Sequence, residues 1–457
     1  MSARNRELMA LIPVALLVTA GFTAVFLVDR IEVGNLSLTY GGYFLAVCLA
    51  VHVLIRIRLP DADPYLFPLV ALLAAIGLVV LYRIDETLAL EQATVFLIGL
   101  GAFAATILLI RDYGVLERYR YVIATVGIVL LLLPRLPGIG AQVNGAYLGV
   151  DIGPLNFQPA ELSKLCIIIF LASYLREKRE VLTVGARRVL GVTLPPLKHF
   201  GPLLVVWGAA MFMLIFIRDL GSSLMFFGAF LAVLYVATNR LSFVVIGMAM
   251  FAIGAWALSN SVTHVGERID IWLDPFGRDA PDGAGQITQS LYAQADGGLF
   301  GRGLGESLLE LPGPFKPDCS VPFPECGSIL PAPHTDFIYA VIVNELGLFG
   351  ASAVVLIYAL LAARGFKTAI TAPDGFSKLL AAGLTAVLAI QAFVIIGGVV
   401  RVIPLTGVTL PFVSYGGSSV VANMILVALL LMISERARRP VRERAPVEPP
   451  GIAELAR

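Results

Sequence analysis

Asp336 is the residue whose type and setting best suit chemistry. It closes the motif Leu330-Pro331-Ala332-Pro333-His334-Thr335-Asp336-Phe337, at the end of the longest polar interval in an apolar chain (259–337), and an apolar run follows at once. Two readings compete. Pro333 disfavours helix before it, so Thr335 can act as N-cap and Asp336 as a first-turn residue whose charge suits the helix dipole. Alternatively, a carboxylate at a membrane boundary beside a large loop can serve as a general base. Spacing alone favours the cap. Asn344 and Glu345 follow on the same expected helix, Glu345 about nine residues or 13 Å along it. A carboxylate at that depth is costly, and is either paired or functional.

Other polar residues gather in four stretches. Phe157-Gln158-Pro159-Ala160-Glu161-Leu162-Ser163-Lys164 puts Pro159 in a helical first turn and Glu161 and Lys164 three apart on one face. They read either as a self-neutralising pair or as a cationic contact for an anionic substrate that Glu161 orients. Gly266–Pro275, with Arg268 and Trp272, reads as an interfacial helix with an aromatic anchor. The run 297–305 holds five glycines and Arg302; its exposed amides suit anions, but it lacks the lysine-hydroxyl ending of a nucleotide loop. Pro404–Ser419, after Arg401 and containing Ser414, has two prolines and three glycines close to the membrane, which implies a bent, packed segment.

The elements that must position these residues are membrane helices. The chain has 457 residues, 58% hydrophobic and 14% charged, with mean hydropathy +0.87. A soluble domain carries roughly 25% charged residues. The apolar residues come in blocks of about 20, the length of a bilayer-spanning helix. The expected fold is therefore an all-α polytopic membrane protein. Its spans fall near 8–28, 36–55, 65–82, 92–110, 121–134, 159–175, 200–217, 220–238, 241–259, 336–363, 378–400 and 418–434, about twelve in all. Arginine and lysine crowd alternate links and both ends, so both termini are expected in the cytoplasm. The interval 260–335, between spans nine and ten, is then a large extracytoplasmic loop. Residues 1–64 form an N-terminal pair, 65–434 a core, and 435–457 a basic, Pro-rich tail without fixed structure. No nucleic-acid partner is expected, and net charge +1 says nothing of others.

Of four cysteines, Cys48 and Cys166 sit in apolar runs. Cys319 and Cys326 lie in the large loop, where an extracytoplasmic location would permit a disulfide; two free thiols is the alternative. No Cys/His cluster has zinc spacing.

In family order, Phe157–Lys164, Asp219-Leu220-Gly221-Ser222-Ser223, Trp272–Pro275, Gly297–Gly305, Leu330–Phe337 with Asn344-Glu345-Leu346-Gly347, and Thr409–Ser419 resemble the SEDS family, the RodA and FtsW proteins of bacterial cell-wall growth. The likeness covers Tyr121 to Ser434. The first two spans look like an addition to the family's ten-helix core, which leans toward the RodA branch in an actinobacterium-like lineage. Two departures stand out. Ile217-Arg218-Asp219-Leu220-Gly221 replaces the usual Gln-Pro-Asp-Leu-Gly, and Pro312 to Ser328, with both loop cysteines, is an insertion.

The resemblance implies a peptidoglycan glycosyltransferase in the bacterial cytoplasmic membrane. It would polymerise lipid II into undecaprenyl-pyrophosphate-linked glycan on the outer face, for elongation or division, beside a class B penicillin-binding protein. Asp336 matches the family's essential Asp; Glu161 and Lys164 match its Gln-Pro-x-Glu motif and the turn after it. Lys164, Arg268, Arg302 and Arg401 are then candidates for phosphate contact, with a divalent cation (Mg2+ or Mn2+) as a candidate helper. His334, Thr335, Glu345 and Ser414 are supporting candidates. The competing class is a lipid II flippase, which predicts ionisable groups near the midplane and repeated halves with broken helices. Glu345 is its main support.

Overall fold

The computed structural model describes residues 2–28, 35–136, 140–143, 146–152, 155–183, 187–189, 192–194, 220–259, 263–277, 284–307, 330 and 332–439. Long apolar runs become helices because only a helix satisfies every backbone group within one segment when water is absent. In chain order these are α1 (Ala3–Val28), α2 (Asn35–Arg58), α3 (Leu66–Ile84), α4 (Glu86–Leu109), α5 (Gly114–Arg118), α6 (Arg120–Leu132), α7 (Pro159–Thr183), α8 (Leu220–Thr238), α9 (Leu241–Ser259), α10 (Thr263–Leu273), α11 (Ala284–Gly297), α12 (Ile338–Thr371), α13 (Gly375–Val399) and α14 (Gly417–Arg438). Among the described residues, nine are long and apolar enough to cross a bilayer. α6 has 13 residues and α7 carries several charges, and both pack in the same bundle. The span expected at 200–217 lies outside the described residues, as do Asp219, the 312–328 insertion, Cys319 and Cys326.

The exterior is apolar, as a lipid solvent requires: Leu16, Ile57, Leu109, Trp256 and Ile370 are all exposed. Inside, α14 packs against α4, and α13 against α7, α8 and α12. Two small antiparallel sheets add to the all-α expectation. β1 (Gly140–Val143), β2 (Ala146–Ile152) and β3 (Leu155–Phe157) fill the link before α7, and β4 (Arg187–Val189) pairs with β5 (Val192–Leu194) after it. Links between helices leave backbone groups unpaired, and hairpins pair them locally.

The segment around Asp336 departs most from expectation. The helix begins at Ile338, with Phe337 as N-cap and no side-chain cap bond. Thr335 and Asp336 sit on the turn before it, so the capping reading fails. The expected continuous helix also breaks, at Gly347 (φ 66°, ψ −170°). Residues 348–371 alone make about 36 Å of helix at 1.5 Å per residue, enough to cross roughly 30 Å of hydrocarbon. Ile338–Leu346 is thus a separate segment, buried from Ile338 through Glu345.

A Cβ on Gly347 would collide with Gly301 N and Leu299 O, and positive φ disfavours any L side chain there. Gly347→Ala is expected to cost about 1–3 kcal/mol from backbone strain, with the collision in addition, and to lower the thermal unfolding midpoint in detergent. Gly101→Ala, in open space on α4, should leave the midpoint unchanged or raise it. Equal midpoints for the two variants would contradict the close approach.

Candidate functional site

Two non-helical segments meet at one end of the bundle and frame Asp336. The first is Ala332–Phe337. The second is 404–416, which enters the protein interior: Leu410, Phe412, Val413 and Ser414 are buried. Non-helical backbone at that depth must find partners in the protein. Tyr358 donates its hydroxyl to Pro411 O (2.5 Å), Gln391 Nε2 donates to Thr409 O (3.0 Å), and Gln92 Nε2 donates to Ser414 O (3.1 Å). α3 comes close at Gly77, where a Cβ would meet the carbonyl oxygens of Phe412 and Val413 at 2.8 and 2.6 Å.

Ser414 joins the two segments. Its hydroxyl donates to Thr335 O (2.8 Å) and accepts from Leu410 N (3.0 Å). Tyr415 N donates to His334 O (2.9 Å), and its ring meets the His334 ring edge-on at 5.9 Å. Tyr415 OH donates to Glu91 at the start of α4 (2.5 Å). Three of the four non-glycine residues with positive φ among the described residues lie here: Ala332 (47°), Arg401 (62°) and Phe412 (68°). Such strain gathers where the surroundings over-determine the chain, as at functional sites.

Asp336 is partly exposed at residue level, but its carboxyl group is turned into protein. Burial pushes that carboxyl up to about 6, and the Arg268 guanidinium pulls the other way. Arg268 reaches the site from α10 while donating to Leu405 O (2.7 Å). Burial also lowers the His334 imidazole, against a smaller opposing effect of Asp85.

The other expected cations are placed differently. Arg401 donates Nε to Trp272 O (2.7 Å) and receives Trp272 Nε1 on its own carbonyl (3.2 Å), so it fastens α10 to the second segment. Arg302 pairs with Asp296 at the exposed rim. Lys164 is fully buried, and its three ammonium protons go to Glu161 Oε2 (2.5 Å), Gln391 Oε1 (2.7 Å) and Asn423 Oδ1 (3.0 Å). Of its two sequence readings, the self-neutralising pair fits; no proton is left for a phosphate. Glu345 is also engaged: Ser307 Oγ donates to it (2.5 Å) and Arg83 Nε lies 3.5 Å away. Both partners belong to this end of the bundle, so the carboxylate is near the rim rather than midway across.

The sequence reading missed Gln391, Asn423, Gln92 and Arg83. Their signal was present: polar side chains within apolar spans ask for partners. Among the described residues no three His, Cys, Asp or Glu side chains converge. The described part of the chain therefore builds no dedicated cation cage, and a divalent ion here would take most of its ligands from water and substrate phosphates, as Mg2+ commonly does.

Fold and site together define a multi-pass helical membrane protein with a desolvated carboxylate framed by two non-helical segments. The chain belongs to the FtsW/RodA/SpoVE family of cell cycle proteins, which matches residues 64–439. It is 42% identical over 418 residues to the peptidoglycan glycosyltransferase RodA of Mycobacterium tuberculosis, covering 89% of this chain and 85% of that one. Identity to RodA of Mycobacterium leprae is 39% over 455 residues (96% and 92%), and to stage V sporulation protein E of Bacillus subtilis 32% over 387 residues (82% and 98%). Among solved structures, a chain from a peptidoglycan synthase complex that coordinates polymerization and crosslinking matches at TM-score 0.64 and 26% identity, covering 83% of this chain and 99% of that one. Thermus thermophilus RodA matches at TM-score 0.55 and 25% identity, covering 83% and 98%.

Lys164→Met would leave the Glu161 carboxylate buried without its partner, at about 3–5 kcal/mol. Most of that should return in the double variant Glu161→Gln/Lys164→Met, which removes both charges. Unfolding midpoints in detergent check this, and a double variant no more stable than Lys164→Met contradicts it.

Proposed function

We propose that Asp336 is the general base of glycan-strand polymerisation. The protein is a peptidoglycan glycosyltransferase, and the single observation that carries the assignment is a carboxylate held near neutrality at a strained turn, facing an arginine. A base works best when its pKa lies near the operating pH, and such a group contributes about 10²–10⁴ in rate. Asp336 accepts the proton of the acceptor sugar's 4-hydroxyl as that oxygen attacks the anomeric carbon of the lipid-linked donor. The bond to the pyrophosphate breaks, and the carrier lipid departs with its two phosphates. Arg268 is the cation best placed to meet the charge on that leaving group. Arg302, at the exposed rim, would receive phosphate earlier in the approach.

An apolar groove of about 160 Å³ between α1, α2, α3 and α4 supports a lipid-borne substrate. Its wall includes Tyr82 and Leu90, next in sequence to Arg83 and Glu91, which hold Glu345 and Tyr415 at the site. Both substrates are lipid II or its polymer, the face is extracytoplasmic, and both termini lie in the cytoplasm. A class B penicillin-binding protein would crosslink the product. A divalent cation at the site would help neutralise the pyrophosphate, with Asp336 as a candidate ligand. The flippase alternative loses its main support, because Glu345 is paired near the rim.

Asp336→Ala is expected to abolish lipid II polymerisation by the purified protein with its transpeptidase, read as polymer on a gel. Polymer at the wild-type rate would end the assignment. The wild-type rate should rise about tenfold per pH unit below about 6 and level off above, because the base must be ionised. Arg268 favours the ionised form, so Arg268→Gln should move the rising limb to higher pH as well as slow the reaction. A limb that moves to lower pH, or stays put, contradicts their coupling.

A further inference from the structure

At the end of the bundle opposite Asp336, a second pocket of about 350 Å³ lies between the ends of α2, α4 and α14. Four arginines line it: Arg58 from α2, Arg111 just after α4, Arg436 from the last turn of α14 and Arg439 at its C-cap. Only two acidic side chains, Asp112 and Glu435, share the wall, so the lining carries excess positive charge. Arg436 leans toward Asp112 (3.3 Å) and over the Tyr113 ring (5.6 Å), and Arg439 pairs with Glu435 (3.1 Å). The side chains of Arg58 and Arg111 make no hydrogen bond or ion pair among the described residues. The rest of the wall is apolar: Leu59, Ile107 and Met432 are all buried.

We infer that this pocket binds the headgroup of an anionic phospholipid from the leaflet at that end of the bundle. Charge and shape both argue for it. Unpaired guanidinium groups at a membrane boundary favour phosphate, to which arginine can donate two parallel hydrogen bonds. Basic pockets between helix ends are a recurrent way of holding lipid headgroups. The apolar portion of the wall has no use for a free phosphate ion, but it can take the glycerol and first methylenes of an acyl chain. Arg58 and Leu59 precede the family match at residue 64, while the other lining residues fall within it. The lipid would therefore join the added N-terminal pair to the core.

The test uses the full chain reconstituted in vesicles of equal parts phosphatidylglycerol and phosphatidylcholine, with retained lipid counted by native mass spectrometry after gentle detergent release. Wild type is expected to retain phosphatidylglycerol in preference. Arg58→Gln/Arg111→Gln should lose about 30-fold of that preference, and Arg111→Gln alone about fivefold. Arg118→Gln removes the same charge from an exposed position outside the pocket and should retain the wild-type preference. Thermal midpoints in phosphatidylcholine establish that each variant is folded; if the double variant is not, the single variant decides. No preference in wild type, or an equal loss in Arg118→Gln, overturns the proposal. Displacement of the retained lipid by millimolar inorganic phosphate would show a site for the free ion and also overturn it.

Discussion

One buried ammonium orders the structure. Lys164 has no contact with solvent, and its charge is tolerable only because three oxygens from three helices accept its three protons. That requirement fixes α7 against α13 and α14. It also orients Gln391, whose oxygen faces the ammonium so that its amide nitrogen turns to Thr409 O. Thr409 begins the stretch that carries Ser414, and Ser414 holds the Thr335 carbonyl beside Asp336. A chain of single contacts thus runs from a buried charge to the carboxylate proposed to act as base.

The same logic explains why non-helical backbone is tolerated inside the bundle. Each carbonyl of 409–414 that accepts from a side chain meets one from a different helix: Gln391, Tyr358, Gln92. A helix there would satisfy itself and leave nothing to aim at a neighbour. The irregular segment trades self-sufficiency for the power to hold a second irregular segment, and the positive φ angles of Ala332, Arg401 and Phe412 are the strain it carries.

Most of the architecture was legible because the bilayer allows few solutions: apolar runs of about twenty residues become spans, and polar intervals become ends. The polar boundary at Asp336 was legible too, by composition, but the catalytic role proposed for it comes from the family resemblance, since spacing alone favours a helix cap. Helix continuity past Asp336 was not, since the decisive residue, Gly347, breaks the helix for a reason found 46 residues earlier, at the backbone of Gly301. The role of Lys164 was half legible: spacing put it beside Glu161, but its other two acceptors lie more than 220 residues away. Local sequence reports which groups need partners, and only the packed bundle supplies their identity. The small sheets escaped because their strands are short and sit among turn residues.

The two ends of the molecule are fastened in different ways. Away from Asp336, the Asp63 carboxylate is clasped by both Arg364 and Arg438, and Glu435 and Ser434 hold the backbone of Asp61 and Asp63. Near Asp336, the Lys164 cluster holds α7, α13 and α14 together, but segments 332–337 and 410–416 are tied mostly by lone hydrogen bonds onto carbonyls. Segments so tied can shift while the helices around them stay fixed. Movement to admit a bulky substrate would then displace 410–416 and leave the Asp63 clasp shut. Hydrogen exchange should be faster at 410–416 than at 61–63, and the reverse order would contradict that.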